Sequence, residues 1–272
     1  MYDFELVKPT SVSEAVAALQ DGDAQAIAGG QTLLPTMKAR LAQADRLVSL
    51  NHIAEMRYVR RDGDVLVVGG GTTHGQIARE AAEHYPALAS LSGRIGDPAV
   101  RNRGTVGGSL ANDDPSACWP AGALGSGATI VATGPNGARE IAADDFFQGM
   151  FTTALEDGEI VTEARFPIPE DGGRAASYTK MIQPASRFPL VAAFVARYGD
   201  EVRVAITGAG QGGVFRWTEA EEALGSDFTP SSLDGLSPPA AETMISDLHG
   251  DGAYRSHLCR VMVKRAVKDI TG

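Results

Sequence analysis

Three glycines fall within five residues, and a proline follows them, in the stretch Arg103-Gly104-Thr105-Val106-Gly107-Gly108-Ser109-Leu110-Ala111-Asn112-Asp113-Asp114-Pro115. Glycines inside regular structure cost backbone entropy, so we expect neither an ordinary helix nor a strand here. Without Cβ atoms the backbone amides can approach a ligand closely, and Thr, Ser and Asn side chains can add hydrogen bonds. The stretch therefore predicts a ligand-binding turn.

A second stretch of the same character lies upstream, at Ala28-Gly29-Gly30-Gln31-Thr32-Leu33-Leu34-Pro35. Gln25 to Ala28 reads as a short strand, and a helical turn is predicted from Gln31 towards Ala42. A strand, a glycine pair and a helix start leave backbone amides pointing outward, where phosphate can bind. Two such stretches indicate a diphosphate-bearing ligand held from both sides. For either stretch alone, a tight turn without a ligand is the alternative.

Composition and charge exclude several classes of protein. The chain has 272 residues, of which 43% are hydrophobic and 21% charged, as in globular proteins, and its net charge is −10. That charge, with no basic run to offset it, argues against a general nucleic-acid binder. No apolar stretch is long enough to predict a transmembrane segment, and the first residues do not resemble a signal peptide. We expect a cytoplasmic protein.

The cysteines and histidines predict no metal site. Cys118 and Cys259 are the two cysteines, and they form no C-x-x-C pattern. The histidines show no H-x-x-x-H spacing. A zinc site or an iron–sulfur cluster on this chain is therefore not expected. Redox chemistry would require an organic cofactor.

The predicted elements are mixed helices and strands, with a change in composition near Pro167 to Gly173 that indicates a domain boundary. Beyond it, three strands are predicted at Ser177 to Met181, Pro189 to Tyr198 and Glu201 to Thr207. Two helices, about Ala240 to His249 and Ala253 to Ile270, are predicted to close the chain.

Two motifs in the sequence are interpreted as coincidental. Gly208 to Gly213 matches G-x-G-x-x-G, but the strand before it is predicted to pair antiparallel with its neighbour, so we expect only a turn. Gly107 to Ala111 loosely matches the nucleophile elbow of hydrolases, yet Arg101 to Gly104 is a poor strand and Pro115 follows too soon for a helix.

The charged residues around the second glycine stretch leave alternatives open. Asp113 and Asp114 are adjacent and are predicted to serve the turn before Pro115. Arg94, Arg101 and Arg103 flank the stretch, and either a phosphate or partner contact or a solvated surface is compatible with each.

Taken together, the two glycine stretches resemble the paired FAD motifs of one family, the medium, flavin-binding subunit of molybdenum hydroxylases of the carbon monoxide dehydrogenase, xanthine dehydrogenase and aldehyde dehydrogenase type. Phe4, the Gly69 to His74 turn, Tyr178-Thr-Lys180 and Pro184-Ala-Ser-Arg187 also have counterparts in that family. The resemblance covers nearly the whole chain.

The resemblance implies an α+β fold: a two-subdomain FAD-binding region of the vanillyl-alcohol-oxidase (PCMH) type, then a small C-terminal α+β domain with a three-stranded antiparallel sheet and helices. The implied divisions are 1–55 and 56–172 for the two FAD-binding subdomains, and 173–272 for the C-terminal domain.

The resemblance also implies the cofactor-binding residues, with no catalytic side chain and no metal ligand on this chain. Cys118 stands where xanthine-dehydrogenase-like relatives have an FAD-contacting aspartate, and Lys180 where some relatives place a lysine near the flavin. The full set is Ala28, Gly29, Gly30, Gln31, Thr32, Leu33, Leu34, Thr36, Thr105, Gly107, Gly108, Ser109, Ala111, Cys118 and Lys180.

The implied function is to bind FAD and pass electrons from [2Fe–2S] clusters on a small partner subunit to an external acceptor. A large partner subunit would carry the molybdenum cofactor, and the expected assembly is a dimer of heterotrimers. Two alternatives stay open: a stand-alone FAD-dependent oxidoreductase of the same fold, and a non-catalytic assembly or binding protein that has lost flavin.

Overall fold

The computed structural model describes residues 1–272, and its first part is built on a small parallel sheet. Its elements are β1 (Glu5–Val7), α1 (Val12–Ala18), β2 (Ala24–Ile27), α2 (Leu33–Lys38) and β3 (Arg46–Ser49). The strands are parallel in the order β1-β3-β2. Ser11 caps α1 by accepting a hydrogen bond from the Glu14 amide, a role for which serine is preferred. The first glycine stretch leaves the carboxyl end of β2.

The middle part contains a five-stranded antiparallel sheet with the order β4-β5-β10-β6-β7. Between β5 and β6 the chain forms a run of short helices, and the second glycine stretch belongs to that run. The elements are β4 (Val59–Asp62), β5 (Val65–Gly69), α3 (His74–Glu80), α4 (Pro86–Gly93), α5 (Pro98–Arg101), α6 (Val106–Asn112), α7 (Trp119–Ser126), β6 (Thr129–Gly134), β7 (Gly137–Ala142), α8 (Ala143–Phe146), β8 (Phe147–Gly149), β9 (Thr152–Thr153), β10 (Ile160–Pro167) and α9 (Glu170–Gly173).

The last part is an antiparallel sheet flanked by helices. Its elements are β11 (Ala176–Ile182), β12 (Pro189–Tyr198), β13 (Glu201–Thr207), β14 (Phe215–Arg216), α10 (Thr218–Ser226) and α11 (Gly252–Thr271). The three predicted strands are present, and the short β14 adds a fourth at the edge. Gly208 to Gly213 forms the turn between β13 and β14, in agreement with its interpretation as a turn.

One predicted helix is wrong. The segment from Ala240 to His249 contains only a 3₁₀ turn at Ala241–Thr243. Met244 instead forms a β-bridge with Gly210, and the Ile245 amide donates to the Ala209 carbonyl at 2.8 Å. Pairing with the turn after β13 thus supplies the backbone hydrogen bonds that a helix would otherwise have provided.

The sheet of the last part is covered on both faces. Alternate residues of β12 belong to two different cores: Ala192, Phe194 and Ala196 pack with the helices of the middle part, whereas Val191, Ala193 and Val195 pack with α11. Because successive side chains of a strand point to opposite faces, a strand covered on both sides reads as a continuous apolar run.

Polar contacts join the last part to the loop after the second glycine stretch. The Thr207 hydroxyl donates to the carbonyl oxygens of Pro115 and Ala117 at 3.1 and 2.8 Å, and the Gly208 amide donates to Pro115 at 2.8 Å. Nearby, the Arg203 guanidinium bonds the Leu124 carbonyl and the Asp144 carboxylate, the latter at 2.6 Å. The contacts of Thr207 and Gly208 fix residues 115–117 relative to the sheet, and those of Arg203 attach α7 and α8 to it.

No helix of the structure combines the length and the apolar character needed to cross a membrane. No group of three or more His, Cys, Asp or Glu side chains is arranged to hold a metal ion.

Candidate functional site

The first glycine stretch presents a run of free backbone amides. The amides of Gly29, Gly30, Gln31, Thr32 and Leu33 have no acceptor within the chain. The carbonyl groups of the same loop are held in place, since the Asn51 side chain donates to Ala28 at 2.8 Å and the Gln31 side chain to Gly29 at 2.9 Å. Successive free amides on a fixed loop form an anion-binding concavity.

Glycine is required in this loop for two different reasons. Gly30 has a φ of +66°, in the left-handed region that residues with a Cβ rarely adopt. At Gly29 a Cβ would lie 2.2 Å from the Arg103 carbonyl oxygen. The first stretch is therefore packed directly on the backbone at the start of the second stretch.

The second stretch differs from the expectation that it forms neither helix nor strand. Val106–Asn112 is the helix α6, capped by the Thr105 hydroxyl, which accepts from the Gly108 amide at 3.2 Å. Glycines are tolerated because they lie in the first turn, where the helix itself provides no acceptors. The Val106 and Gly107 amides instead donate to Thr72 and Gly70, at 3.1 and 2.9 Å.

These contacts give the two glycines of α6 separate roles. At Gly107 a Cβ would lie 2.7 Å from the Gly70 carbonyl oxygen, so this glycine allows α6 to pack on the loop after β5. At Gly108 a Cβ would approach only the Thr105 hydroxyl at 3.0 Å and the Ala28 methyl group at 3.7 Å. Gly108 thus faces the space between the two stretches.

That space is a cleft of about 760 Å³, a volume typical of small-molecule sites. All but three of the predicted cofactor-binding residues line it. They are Ala28, Gly29, Gly30, Gln31, Thr32, Leu33 and Thr36 from the first stretch, and Thr105, Gly107, Gly108, Ser109 and Ala111 from the second.

The remaining three predicted residues lie elsewhere. Leu34 lines a neighbouring depression on the other side of the first loop. Cys118 and Lys180 are buried outside the cleft, where the Lys180 amine donates to the Cys118 sulfur at 3.5 Å and to the Arg94 carbonyl at 3.1 Å. Burial lowers the pKa of Lys180.

Several cleft residues were not identified from the sequence. Ile160 and Val161 of β10, Ile95 after α4, and Phe188 before β12 contribute apolar wall. Each is an ordinary apolar residue, and nothing in the sequence distinguishes it from a core residue. Such walls suit the planar rings of a dinucleotide.

His74 also lines the cleft and is neutral. Burial lowers the pKa of His74 to about 4. The Trp119 indole donates to its Nδ1 at 3.0 Å, which leaves the ring proton on Nε2. At Gly104 a Cβ would lie 2.7 Å from that Nε2, so Gly104 allows the second stretch to approach this histidine.

Asp113, at the end of α6, is a buried carboxyl group next to two cleft residues, Asn112 and Asp114. It has a left-handed φ of +40°, and its Oδ1 has no hydrogen-bond partner. Burial raises the pKa of Asp113 to about 7, and the neighbouring Asp114 acts in the same direction.

The arrangement fits a ligand that carries a diphosphate and planar rings. Free amides supply one side of a diphosphate site, Gly108 leaves room on the other, and the walls are apolar. Both stretches were expected to supply amides; the first leaves five of them free, whereas the Val106, Gly107, Gly108 and Ser109 amides of the second have acceptors within the chain.

Comparison with known proteins also indicates a ligand that carries a diphosphate and planar rings. Residues 2–169 match the family described as the FAD binding domain in molybdopterin dehydrogenase. The carbon monoxide dehydrogenase medium chain of Hydrogenophaga pseudoflava is 35% identical over 97% of this chain and 96% of its own length. The nicotine 6-hydroxylase medium subunit of Paenarthrobacter nicotinovorans is 34% identical over 95% of this chain and 94% of its own.

Solved structures of related proteins have the same fold as this chain over nearly its whole length. The carbon monoxide dehydrogenase from Hydrogenophaga pseudoflava, in a form that lacks the Mo-pyranopterin moiety, contains a chain that superposes with a TM-score of 0.90 at 34% identity, covering 99% of this chain and 98% of that one. Quinoline 2-oxidoreductase from Pseudomonas putida 86 gives 0.84 at 28% identity, covering 100% and 98%. With two glycine stretches on one cleft and relatives along its whole length, the chain belongs to the FAD-binding medium-subunit family of molybdenum hydroxylases, and its cofactor is FAD.

Proposed function

We propose that this chain binds FAD in the cleft between its two glycine stretches and passes electrons from the [2Fe–2S] clusters of a partner subunit to an external acceptor. The observation that carries the proposal is the run of acceptor-free amides from Gly29 to Leu33, which faces the second stretch across one cleft. An anionic diphosphate would satisfy amides that the folded chain leaves unpaired.

The chain's own residues would bind and orient the cofactor rather than act on a substrate. Gly29 brings the two stretches together, Gly107 allows α6 to pack on the loop after β5, and Gly108 leaves room for the ligand. His74 lines the cleft as a neutral side chain and so adds no charge to it. Bound FAD would supply the redox chemistry, receiving electrons singly and releasing them in pairs.

We propose that partner subunits deliver electrons to FAD because this chain lacks the ligands for an iron–sulfur cluster of its own. Cys118 and Cys259 are both buried, and two cysteines are too few for an iron–sulfur cluster. The carbon monoxide dehydrogenase and nicotine 6-hydroxylase relatives are named as medium subunits, that is, as parts of larger complexes. We propose a large molybdenum-cofactor subunit, a small [2Fe–2S] subunit and a dimer of heterotrimers.

The first experiment is an absorption spectrum of the purified chain before and after addition of FAD. We expect a flavin band at about 450 nm that remains with the protein on gel filtration, with FAD as the nucleotide released on denaturation. A chain that stays colourless in the presence of FAD, both alone and when co-expressed with its partner subunits, would contradict the proposal.

Co-purification then separates the complex from a stand-alone oxidoreductase. The expected result is a stable assembly with one larger and one smaller chain and a mass of two heterotrimers. A chain that binds FAD, stays alone and itself oxidises a small molecule would support the stand-alone alternative.

A further inference from the structure

A second cavity lies on the other side of the first glycine loop. It measures about 520 Å³ and shares with the FAD cleft only the segment from Ile27 to Gly30. The rest of its wall comes from residues in and next to β1, from Leu34 of α2, from β3 and the segment after it, and from Thr73, Asn102 and Arg103. The glycine loop is therefore the partition between two separate concavities.

The polar wall of this cavity is basic. Arg57, Arg103 and His52 line it with Asn51, Asn102, Ser49 and Thr73, and no carboxylate does. Such a lining contrasts with the chain's net charge of −10. Guanidinium groups in a concavity without acids are suited to phosphate, which they bind through paired N–H donors.

Among the three arginines that flank the second stretch, Arg103 alone has a free guanidinium. Arg94 donates to the Tyr178 carbonyl at 2.9 Å, and Arg101 donates to the Ile95 and Gly96 carbonyls at 3.0 and 2.9 Å. Arg103 is exposed at the cavity and forms no hydrogen bond or salt bridge through its side chain. Arg57 bonds only a carbonyl oxygen, that of Asn51.

The remaining wall is apolar and lies at the edge of the parallel sheet. Phe4, Leu6, Leu34 and Leu47 contribute to it, and Leu6 is 48% exposed. The cavity opens where β2 and β3 end, at Ile27 and Ser49. Ligands of parallel sheets bind beyond the carboxyl ends of the strands.

We propose that this basic cavity binds a second, small phosphate-bearing ligand of the nucleotide class, distinct from the FAD of the cleft. Arg57 and Arg103 hold its phosphate groups, and the apolar wall holds its planar body. This second site depends on the proposed function only in that FAD is the ligand of the neighbouring cleft. Since two anions on opposite sides of one thin loop repel each other, the second ligand weakens FAD binding, and FAD weakens the second ligand equally.

The test uses the chain saturated with FAD, so that the cleft is filled, and ADP as the probe, measured by isothermal titration calorimetry. We expect saturable binding of ADP below about 1 mM. In the double variant Arg57→Gln with Arg103→Gln, the ADP dissociation constant should rise at least about tenfold, because charge-assisted contacts are lost. Inorganic phosphate should bind more weakly than ADP.

Arg61→Gln is the matched control. Arg61 is an exposed arginine of β4 whose guanidinium bonds the Gly63 carbonyl at 2.8 Å, and it lines neither cavity. The substitution makes the same change in side-chain charge as each of the two replacements in the double variant, and ADP binding should be unaltered.

Several results would overturn the proposal. FAD-saturated protein that binds no ADP, or binds it equally well in the double variant, excludes the site. Loss of FAD from the double variant would show that the two arginines hold FAD itself. Equal affinity for ADP and inorganic phosphate excludes the nucleotide class. Absent ADP binding combined with failed subunit assembly in the double variant would instead identify the cavity as a docking site for an acidic partner segment.

Discussion

The Lys180 amine lies 3.5 Å from the Cys118 sulfur and 3.1 Å from the Arg94 carbonyl oxygen, with no carboxylate among its partners. Lys180 is 6% exposed and Cys118 is 4% exposed. A buried ammonium group normally requires an opposite charge, and burial accordingly lowers the pKa of Lys180. The thiol occupies the position at which the family resemblance implies an aspartate.

The first prediction concerns this pair. Cys118→Asp places a carboxylate beside Lys180 with little change in volume, so the variant should fold and be at least as stable as the natural chain. Cys118→Ala removes the only side-chain partner of Lys180 and should lower the free energy of unfolding by about 1–3 kcal/mol. Urea unfolding at pH 7 measures both. A Cys118→Asp chain less stable than Cys118→Ala would show that the site cannot accept a charge pair.

The second prediction follows from the opposite pKa shifts of Asp113 and His74. Burial raises the pKa of Asp113 to about 7, so between pH 4 and 7 the unfolded chain loses this proton while the folded chain keeps it. The contribution of Asp113 to stability therefore falls as pH rises through this window. Burial lowers the pKa of His74 to about 4, so the contribution of His74 rises with pH up to its unfolded pKa near 6.5.

Asp113→Asn separates the two effects. Asparagine tolerates the left-handed φ of this position, and it removes only the titration. Without the opposing Asp113 titration, the stability of the variant should rise with pH from about 4 to 6.5 as His74 contributes, and at pH 8 it should exceed that of the natural chain by on the order of 2–4 kcal/mol. Thermal unfolding of the FAD-free chain across this pH range is the measurement. Parallel profiles for the two chains would show that Asp113 titrates normally.

The third prediction tests the contacts that attach the last sheet to the middle part. Arg203 is 9% exposed and bonds both the Leu124 carbonyl and the Asp144 carboxylate. Arg203→Gln leaves Asp144 with Arg216 as its remaining partner and should lower the free energy of unfolding by about 3 kcal/mol. Glu201→Gln, which removes an exposed partner 3.7 Å from the same arginine, should change stability by less than about 1 kcal/mol.

Many residues of the cleft could be predicted from the sequence because closely spaced glycines indicate a turn with unusual backbone angles or a close backbone approach. A close backbone approach requires glycine at position 29, and a left-handed φ requires it at position 30. Gly108 keeps the cleft wall open. Cofactor contact at the individual residues stays a prediction. The three main strands of the last part follow from apolar patterning, which depends only on neighbouring residues, whereas the α+β class was implied by the family resemblance.

What could not be predicted depends on partners distant in sequence. Helix α6 forms because Thr72 and Gly70, more than 30 residues upstream, supply acceptors for its first turn. The predicted helix from Ala240 was lost because Met244 and Ile245 pair with the turn after β13. Ile160 and Phe188 line the cleft through tertiary packing, and their sequences resemble those of any core strand.

The last prediction compares two adjacent glycines. Gly108→Val places its side chain in the space between the two stretches, where a Cβ meets only the Thr105 hydroxyl and the Ala28 methyl group. The chain should fold, with a melting temperature close to that of the natural protein, and should lose its flavin band. Gly107→Ala places a Cβ 2.7 Å from the Gly70 carbonyl oxygen, so it should lower the free energy of unfolding by about 1–3 kcal/mol.

The two variants separate ligand binding from folding within one turn of helix. Circular dichroism melts report the fold, and absorbance at about 450 nm after gel filtration reports bound flavin. At a temperature where both variants are folded, Gly107→Ala should bind more FAD than Gly108→Val, although it is the less stable of the two. A Gly108→Val chain that retains stoichiometric FAD would show that the diphosphate does not pass between the two stretches, and the cleft would then have to hold the cofactor in another way.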